Sequence, residues 1–174
     1  MIEIASAKDR QHYRSCTRPL ARGDMPNVLA IEREAFAVPW TEEDFIASLR
    51  QQYSTALVVE CRWLGDAGVA QIAAYAIITV QLPRVDSPKR IWLENLAVAR
   101  SWRRQRVASA IVQRLIRQLS PAMPEILTQV RETNLPAQLF LKAQGFKATD
   151  VLRAFYDSED AFIFTYRLRQ QGAG

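Results

Sequence analysis

The chain has 174 residues, 49% of them hydrophobic, a length that suits one well-buried domain and is too small for two comfortable ones. Its net charge of +5 comes from 19 Arg and 4 Lys, which favours acidic ligands, but no long basic run indicates a nucleic-acid partner. The single histidine, His12, leaves no ligands for a His-rich zinc site and no His-based catalytic triad, so no metal is expected.

The two cysteines and the hydropathy pattern indicate a compartment. Cys16 and Cys61 lie in strand-like segments and lack CxxC spacing, which predicts reduced, structural thiols. No stretch resembles a secretion signal, and no apolar run is long enough to cross a bilayer. We therefore expect a cytoplasmic protein without a membrane partner.

Hydrophobic periodicity predicts one mixed α/β domain over residues 13–169, with its elements in the order βααβββαβαββ. A flexible leader is expected at 1–12 and a disordered tail at 170–174. The predicted strands lie at 13–20, 55–63, 69–82, 91–98, 124–131, 146–155 and 161–168, and the predicted helices at 25–36, from 42 onwards, 107–119 and 134–144.

Particular residues mark the ends of three predicted helices. Asp24 is a candidate N-cap for the first helix. Thr41 is a candidate N-cap for the second, with Asp44 in a near capping box. Gly145 is placed to close the last helix from the C′ position.

The passage from the fourth strand into the third helix is the most informative part of the chain. An apolar strand, IWLENLAV, is followed by a basic turn, ARSWRRQR, and an amphipathic helix, VASAIVQRLIRQL. The arginines Arg100, Arg103, Arg104 and Arg106 crowd a helix N-terminus that is already partly positive. A cation there is unfavourable by about 0.3–1 kcal/mol unless an anion is present. The pattern predicts a phosphate or pyrophosphate site, with a solvated basic turn as the alternative.

Four segments carry a family resemblance, in this order: IEREAFAVPW, NLAVARSWRRQRVA, VRETNLPAQLFLKAQGF and FYDSEDAFIF. Together they resemble the GNAT superfamily of acetyl-CoA-dependent N-acetyltransferases, and most of all its RimI-type ribosomal-protein-alanine N-acetyltransferases. The resemblance covers nearly the whole chain after the leader. It implies a GNAT-like fold in which the central mixed sheet is splayed between the fourth and fifth strands.

The resemblance also implies where acetyl-CoA binds. The pantetheine arm is expected to lie along the backbone of Leu96, Ala97 and Val98. The residues expected around the pyrophosphate are Arg103, Arg104, Gln105, Arg106, Val107, Ala108 and Ser109, and Asn134 is expected to contact the cofactor from the opposite strand. Arg106 stands where the family has its first glycine, a residue that tolerates positive φ and lets backbone approach phosphate closely. Arg106 either adds a charged contact or crowds the site.

The residues expected to move protons depart from the family pattern. The family's general base aligns with Gln129 and its thiolate-protonating tyrosine aligns with Leu141, and neither side chain transfers protons. Glu94 is the candidate replacement base, because burial of a carboxylate in an apolar strand costs stability and raises its pKa, which indicates a functional role. The alternative is a carboxylate that is solvated or paired with an arginine. Tyr156 is the remaining candidate acid, or else a wall of the substrate groove.

Several residues are expected near the acceptor substrate. Pro39 and Trp40 align with the loop that lines the family's peptide entrance, and Phe155 and Tyr156 align with an aromatic pair that flanks the substrate backbone. Core packing is the alternative for each. Glu32 is expected to be an ordinary solvated helix residue. The Glu159-Asp160 pair is expected either to attract a positively charged amino terminus or to lie in an acidic turn.

The resemblance implies an acetyl-CoA-dependent N-acetyltransferase that modifies the N-terminal α-amine of a protein, with a ribosomal protein as the implied acceptor. An α-amine is roughly a tenth neutral at pH 7, whereas a lysine is neutral in about one molecule in a few thousand, so the α-amine depends less on a base. Two alternatives stay open: a GNAT that acetylates a small amine with Glu94 as base, and a catalytically degraded GNAT that binds CoA or a peptide. A monomer or weak homodimer is expected.

Overall fold

The computed structural model describes residues 13–65, 68–82, 88–156 and 159–168. The predicted leader and tail lie outside these ranges. The strands are β1 (Tyr13–Pro19), β2 (Ser54–Trp63), β3 (Gln71–Gln81), β4 (Arg90–Val98), β5 (Glu125–Arg131), β6 (Lys147–Tyr156) and β7 (Glu159–Arg167). The helices are α1 (Met25–Ala35), α2 (Glu42–Leu49), α3 (Val107–Arg117) and α4 (Leu135–Ala143), with short 3-10 helices at Arg22–Asp24 and Arg100–Trp102. The predicted order βααβββαβαββ is confirmed in the described residues.

The seven strands form one sheet in the order β1-β2-β3-β4-β5-β7-β6. Neighbouring strands are antiparallel except β4 and β5, which are parallel. The parallel pair is short: only Arg90, Ile91 and Trp92 of β4 have partners in β5. Beyond Trp92 the two strands separate, as the predicted splay requires.

Helices cover both faces of the sheet, and each face has its own hydrophobic core. Side chains of α3 and α4, including Ile111, Leu115 and Leu141, pack on one face with Leu93 and Ile126. On the other face, the α1 and α2 side chains Val28, Ile31 and Phe45 pack against Tyr75 and Ile77 of β3. The faces are called the α3/α4 face and the α1/α2 face below.

Strand β4 contains a bulge at Glu94. Asn95 lies opposite Ile77 and Leu93 lies opposite Ile78, so Glu94 is the extra residue in β4. Bulges bend a strand and redirect side chains. This bulge directly follows the point where β4 leaves β5.

The predicted capping interactions are confirmed at two of the three helix ends. Thr41 Oγ1 accepts from the Asp44 backbone N–H at 3.2 Å, and the Asp44 carboxylate accepts from Thr41 N–H at 2.8 Å. After α4, Gly145 has φ of 93° and its N–H donates to the Lys142 carbonyl, while Phe146 N–H donates to Leu141. These two bonds form a Schellman motif, which needs the left-handed residue at C′.

Asp24 is the N-cap residue of α1, as predicted, but its side chain makes no capping hydrogen bond to that helix. The Asp24 carboxylate instead accepts from the Arg18 guanidinium at 2.6 and 2.8 Å and from the Ala21 backbone N–H at 2.7 Å. The hydrogen bonds from Arg18 hold the pKa of Asp24 below its usual range. Asp24 therefore ties the start of α1 to strand β1.

Among the described residues, no helix is both long and apolar enough to span a membrane. Both cysteines are free thiols, Cys16 exposed and Cys61 buried.

Candidate active site

The gap between β4 and β5 opens at a hydrogen bond made by a side chain. Thr128 Oγ1 of β5 donates to the Leu93 carbonyl of β4 at 2.9 Å, just past the last backbone pair. From Asn95 to Val98, β4 stays paired with β3, while residues 94–98 have no β5 partner. The strand therefore has backbone groups on its β5 side that are available to a ligand.

The basic turn leads from the end of β4 directly into α3. Arg103, Arg104, Gln105 and Arg106 are exposed, whereas Val107 is buried and begins the helix. Arg104 and Arg106 both have φ of 61°, the left-handed conformation that favours glycine. Arg106 is the N-cap of α3 and makes no side-chain cap. The first N–H groups of α3 are therefore left to another partner, as the predicted anion site requires.

Two aromatic residues that sequence reasoning missed support this turn. Trp102 is buried beneath it, stacked on Trp63 with ring centroids 4.5 Å apart. Tyr13 donates a hydrogen bond from its hydroxyl to the Gln105 carbonyl. Tyr13 is 92 positions from Gln105, and no local pattern signals such a contact.

The remaining residues expected around the cofactor have partners within the protein. Arg103 Nε donates to the Val98 carbonyl at 3.1 Å, and Ser109 Oγ accepts from Gln144 Nε2 at 3.2 Å. Asn134 caps α4, accepting from the Ala137 N–H at 3.2 Å through its side-chain oxygen. The Asn134 cap is compatible with a cofactor contact, because it uses the side-chain oxygen and not the amide nitrogen.

Glu94 lies within the sheet beside the gap. Ile78 of β3 packs in the α3/α4 core, so the neighbouring Thr79 points to the α1/α2 face. The Glu94 side chain hydrogen-bonds the Thr79 side chain and therefore lies on that face. It is half-buried, and this burial raises the pKa of its carboxyl group, while hydrogen bonds with Thr79 and Trp92 partly offset the rise. Glu94 therefore holds a proton more readily than an ordinary surface carboxyl group.

Across the gap, Gln129 and Tyr156 are in contact. Gln129 alternates with Val130, which is buried in the α3/α4 core, so Gln129 points to the same face as Glu94. Its side chain hydrogen-bonds the Tyr156 hydroxyl. Burial is the main cause that raises the pKa of Tyr156, so the phenol stays protonated near neutral pH. The Arg131 guanidinium carbon lies 3.9 Å from the centre of the Tyr156 ring.

Leu141, which the family resemblance aligns with a proton-donating tyrosine, is buried in the core. Leu141 is 4% exposed and packs in the α3/α4 core. Of the positions aligned with the family's base and acid, only Gln129 therefore borders the gap.

The aromatic pair lies at the end of β6, where the register with β7 shifts between Leu152 and Tyr156. Phe155 is 46% exposed, and its ring meets Tyr156 edge-on at 4.9 Å. Just before them, Ala154 has φ of 49°, and its N–H donates to Asp160 at 2.8 Å. Asp160 also pairs with Arg153 at 2.5 Å.

The acidic pair Glu159-Asp160 lies at the start of β7, and residues 157–158 are outside the described ranges. Glu159 accepts from the Thr133 N–H at 2.9 Å and pairs with Arg131 at 3.0 Å. Hydrogen bonds from Thr133 are the main cause that lowers the pKa of Glu159. Both carboxylates therefore brace neighbouring segments, a role that neither sequence alternative described.

The loop between α1 and α2 carries Pro39 and Trp40, both partly buried. The Trp40 ring packs edge-on against Phe45 at 5.3 Å, and Phe45 packs in the same way against Tyr75 at 5.5 Å. Val38, in the same loop, is 75% exposed. Trp40 thus packs on the α1/α2 core while the loop remains accessible.

The prediction that Glu32 is a solvated surface residue is wrong. Glu32 is 1% exposed, and its carboxylate accepts from the Trp40 backbone N–H at 2.8 Å and from the Tyr75 hydroxyl. The signal was present in the sequence, because Glu32 falls four residues after the buried Val28 on the inward-facing stripe of α1.

Comparison with known proteins gives a family. The model of the acetyltransferase (GNAT) family matches residues 25–146. The ribosomal protein bS18-alanine N-acetyltransferase of Escherichia coli strain K12 is 26% identical over 138 residues, covering 79% of this chain and 84% of that protein. An N-alpha-acetyltransferase of Sulfurisphaera tokodaii is 25% identical over 173 residues, covering 93% of this chain and 97% of that protein.

Solved structures give the same fold. The crystal structure of the ribosomal-protein-S18-alanine N-acetyltransferase from Escherichia coli aligns with a TM-score of 0.71 at 24% identity, covering 92% of this chain and 98% of that chain. Arabidopsis thaliana NAA60 in complex with a bisubstrate analogue aligns with a TM-score of 0.77 at 18% identity, covering 90% and 100%. The predicted GNAT-like fold is confirmed.

Proposed function

Since the chain belongs to the acetyltransferase (GNAT) family, we propose that it transfers an acetyl group from acetyl-CoA to the N-terminal α-amine of a protein. The observation that carries this proposal is the separation of β4 from β5 beyond Trp92, with the basic turn and the start of α3 following β4 directly. A ribosomal protein is the proposed source of the amine, because a relative over most of the chain is named for that substrate.

The unpaired side of β4 suits the extended arm of acetyl-CoA. Backbone groups of Leu96, Ala97 and Val98 lie beyond the last β4–β5 pair, and amides of a pantetheine arm are proposed to bond them as a missing strand would. Arg103 occupies the Val98 carbonyl through Nε, so this side chain is proposed to move when the cofactor binds.

The turn after β4 suits a pyrophosphate. The N–H groups at the start of α3 are not capped by the Arg106 side chain, and the exposed residues Arg103, Arg104 and Arg106 directly precede them in the chain. The residues proposed to hold the pyrophosphate are Arg103, Arg104, Gln105, Arg106, Val107, Ala108 and Ser109, and Asn134 is proposed to contact the cofactor from α4.

Acetyl transfer needs a neutral amine, an acceptor for its proton and a donor to the carbonyl oxygen that gains charge. Acetyl-CoA, when bound, supplies the reactive thioester. Glu94 is proposed to accept the amine proton, since it lies at the bulge beside the gap and burial makes its carboxylate more basic. Unpaired N–H groups of β4 are proposed to face the carbonyl oxygen.

Tyr156 and Phe155 are proposed to form one wall of the acceptor groove, with Pro39 and Trp40 forming the opposite one. Tyr156 keeps its proton near neutral pH and so can also donate it to the leaving thiolate. Replacement of Tyr156 by Phe separates these roles, because phenylalanine keeps the ring that forms the wall but lacks the hydroxyl that would donate the proton.

An α-amine is the acceptor best matched to the missing family base. Gln129 accepts no proton, and an α-amine with a pKa of about 7.7–8.0 needs less help than a lysine at about 10.4. A small amine is the second candidate, favoured by the raised pKa of Glu94, because a carboxylate of higher pKa is a stronger base.

The deciding experiment measures acetylated product by mass spectrometry with acetyl-CoA and three acceptors: an alanine-starting peptide, an N-blocked lysine peptide and a polyamine. The proposal expects turnover on the first acceptor above the other two. Preference for the polyamine favours the small-amine candidate. No product from any acceptor, together with retained CoA binding, favours a CoA-binding module without catalysis.

Cofactor binding is tested separately by calorimetry. Arg104→Ala should weaken acetyl-CoA binding by about tenfold at low salt, since it removes a charge beside the pyrophosphate. Arg114→Ala is the matched control, because Arg114 is exposed on α3 away from its N-terminus. Equal losses in the two variants would contradict the assigned turn.

A further inference from the structure

We infer that Glu32 is a positioning residue that locks the peptide-entrance loop, residues 36–41, onto the Glu94 bulge of β4. This inference rests on the proposed function, in which that loop and that bulge border the acceptor groove.

The two carboxylate oxygens of Glu32 receive hydrogen-bond donors from three separate elements. Oε1 accepts from the Trp40 backbone N–H in the loop at 2.8 Å, and Oε2 accepts from the Tyr75 hydroxyl of β3. Asn95 Nδ2 of β4 lies 3.4 Å from both oxygens. One buried side chain therefore joins the loop, β3 and β4.

Burial makes these bonds strong and their loss costly. Glu32 is 1% exposed, and a carboxylate in such a place is tolerated only when hydrogen bonds replace its water. A core position on α1 is normally apolar, and its neighbours Val28 and Ile31 are apolar. A side chain with this requirement at this position indicates a specific positional role in addition to packing.

The partners of Glu32 lie next to the proposed chemistry on both sides. Trp40 is the loop residue proposed to border the acceptor, and its main chain is fixed by this bond. Asn95 directly follows Glu94, the extra residue in β4, so a fixed Asn95 side chain fixes the orientation of the bulge. Glu32 touches neither reactant; it acts through Trp40 and Asn95.

Three variants separate positioning from stability. Glu32→Ala removes all three bonds. Glu32→Gln keeps an oxygen for the Trp40 N–H and offers an amide to the Tyr75 hydroxyl, so it tests geometry without charge. Tyr75→Phe is the control: it removes a buried hydroxyl and lowers stability but leaves the Trp40 bond in place.

The first measurement needs no activity. Hydrogen exchange followed by mass spectrometry should show faster exchange across residues 36–45 in Glu32→Ala, and near wild-type exchange there in Glu32→Gln and Tyr75→Phe. Unchanged exchange in Glu32→Ala overturns the inference. The exchange measurement tests the role of Glu32 even if the wild type acetylates no peptide. A lack of acetylation would count against the proposed function alone.

The second measurement is steady-state kinetics well below the unfolding temperature. Glu32→Ala should raise KM for the accepted peptide by about tenfold while the acetyl-CoA affinity stays within about twofold, because misplaced binding groups weaken substrate orientation. Glu32→Gln should recover most of the loss. A Glu32→Ala enzyme that is less stable yet has wild-type KM and kcat would show a structural role only, and would overturn the inference.

Discussion

Thr128 Oγ1 donates a hydrogen bond to the Leu93 carbonyl at the point where β4 and β5 separate. Both residues are buried, and the bond takes the place of the backbone pairing that ends one step earlier. The Thr128 side chain thus replaces the strand partner that the Leu93 carbonyl loses where β4 and β5 separate. No buried carbonyl is left unpaired at this residue.

The first prediction concerns this bond. Thr128→Val should lower the free energy of unfolding by about 1–3 kcal/mol, because the Leu93 carbonyl loses its donor while the side-chain shape is kept. Urea unfolding followed by circular dichroism measures it. Thr128→Ser keeps the hydroxyl and should lose clearly less; equal losses in the two variants would show that the methyl group matters and the bond does not.

The second prediction concerns the pH dependence of stability. Burial raises the pKa of Glu94 above its ordinary value of 4.5, so the native state binds this proton more tightly than the unfolded chain. The group therefore destabilises the fold progressively as pH rises from 4.5 through its raised pKa. Glu94→Gln should lose less stability than wild type over that range, as measured by thermal unfolding at a series of pH values. Parallel curves would contradict the raised pKa.

Kinetics tests the same group in its proposed role. If Glu94 accepts the amine proton, kcat/KM should fall in acid with the ionisation of its carboxyl group, and Glu94→Gln should lower turnover by about 100-fold or more. The acceptor amine also titrates, so the informative quantity is the ratio of wild-type to variant rates at each pH. A ratio near one throughout would assign Glu94 a structural role.

The sequence predicted those parts of the fold that depend on local chemistry. Thr41 with Asp44, and Gly145 after α4, mark helix ends because capping uses neighbours in the chain. The turn between β4 and α3 was predicted because an apolar strand pattern gives way to an amphipathic helix pattern there. The left-handed conformation of Arg106 agrees with the glycine that the family resemblance placed there, whereas that of Arg104 had no signal in the sequence.

Contacts between distant segments could not be predicted in this way. Asp24 bonds Arg18 across to β1, and Tyr13 reaches Gln105, because the sheet brings these segments together. The bulge at Glu94 depends on register with β3, which a single strand does not reveal. Glu32 differs from these. Its spacing on α1 predicted a buried position, but its charge suggested an exposed one, and the prediction followed the charge.

The third prediction separates strain from charge at Arg106. Its φ of 61° costs an ordinary residue roughly 1–2 kcal/mol, and glycine avoids that cost. Arg106→Gly should therefore be more stable than Arg106→Ala by about 1 kcal/mol in urea unfolding, although both lose the guanidinium. Both should bind acetyl-CoA more weakly at low salt, with the difference from wild type shrinking as salt rises. Equal stability of the two variants would contradict a strained backbone.

The fourth prediction concerns the thiols. Burial raises the pKa of Cys61 to about 11, whereas Cys16 is exposed on β1. One thiol per native chain should react rapidly with an aromatic disulfide reagent at pH 8, and two should react in denaturant. Cys16→Ser should abolish the fast reaction. A fast native reaction that survives this change would show that Cys61 is accessible.

The fifth prediction introduces a carboxylate at Gln129, the position that the family resemblance proposes for the general base. Gln129 borders the gap, points to the same face as Glu94 and contacts the Tyr156 hydroxyl, so Gln129→Glu places a proton acceptor there without a change of size. The gain should be greater for an acceptor that is mostly protonated: about tenfold or more on a lysine peptide, and clearly less on an α-amine. Product formation on both peptides at pH 7 measures it.

Gln129→Ala removes the Tyr156 contact without adding a base and should show no gain. If Gln129→Glu raises neither rate while the fold and acetyl-CoA affinity are intact, position 129 does not face the acceptor amine, and Glu94 remains the only candidate base at the gap among the residues considered.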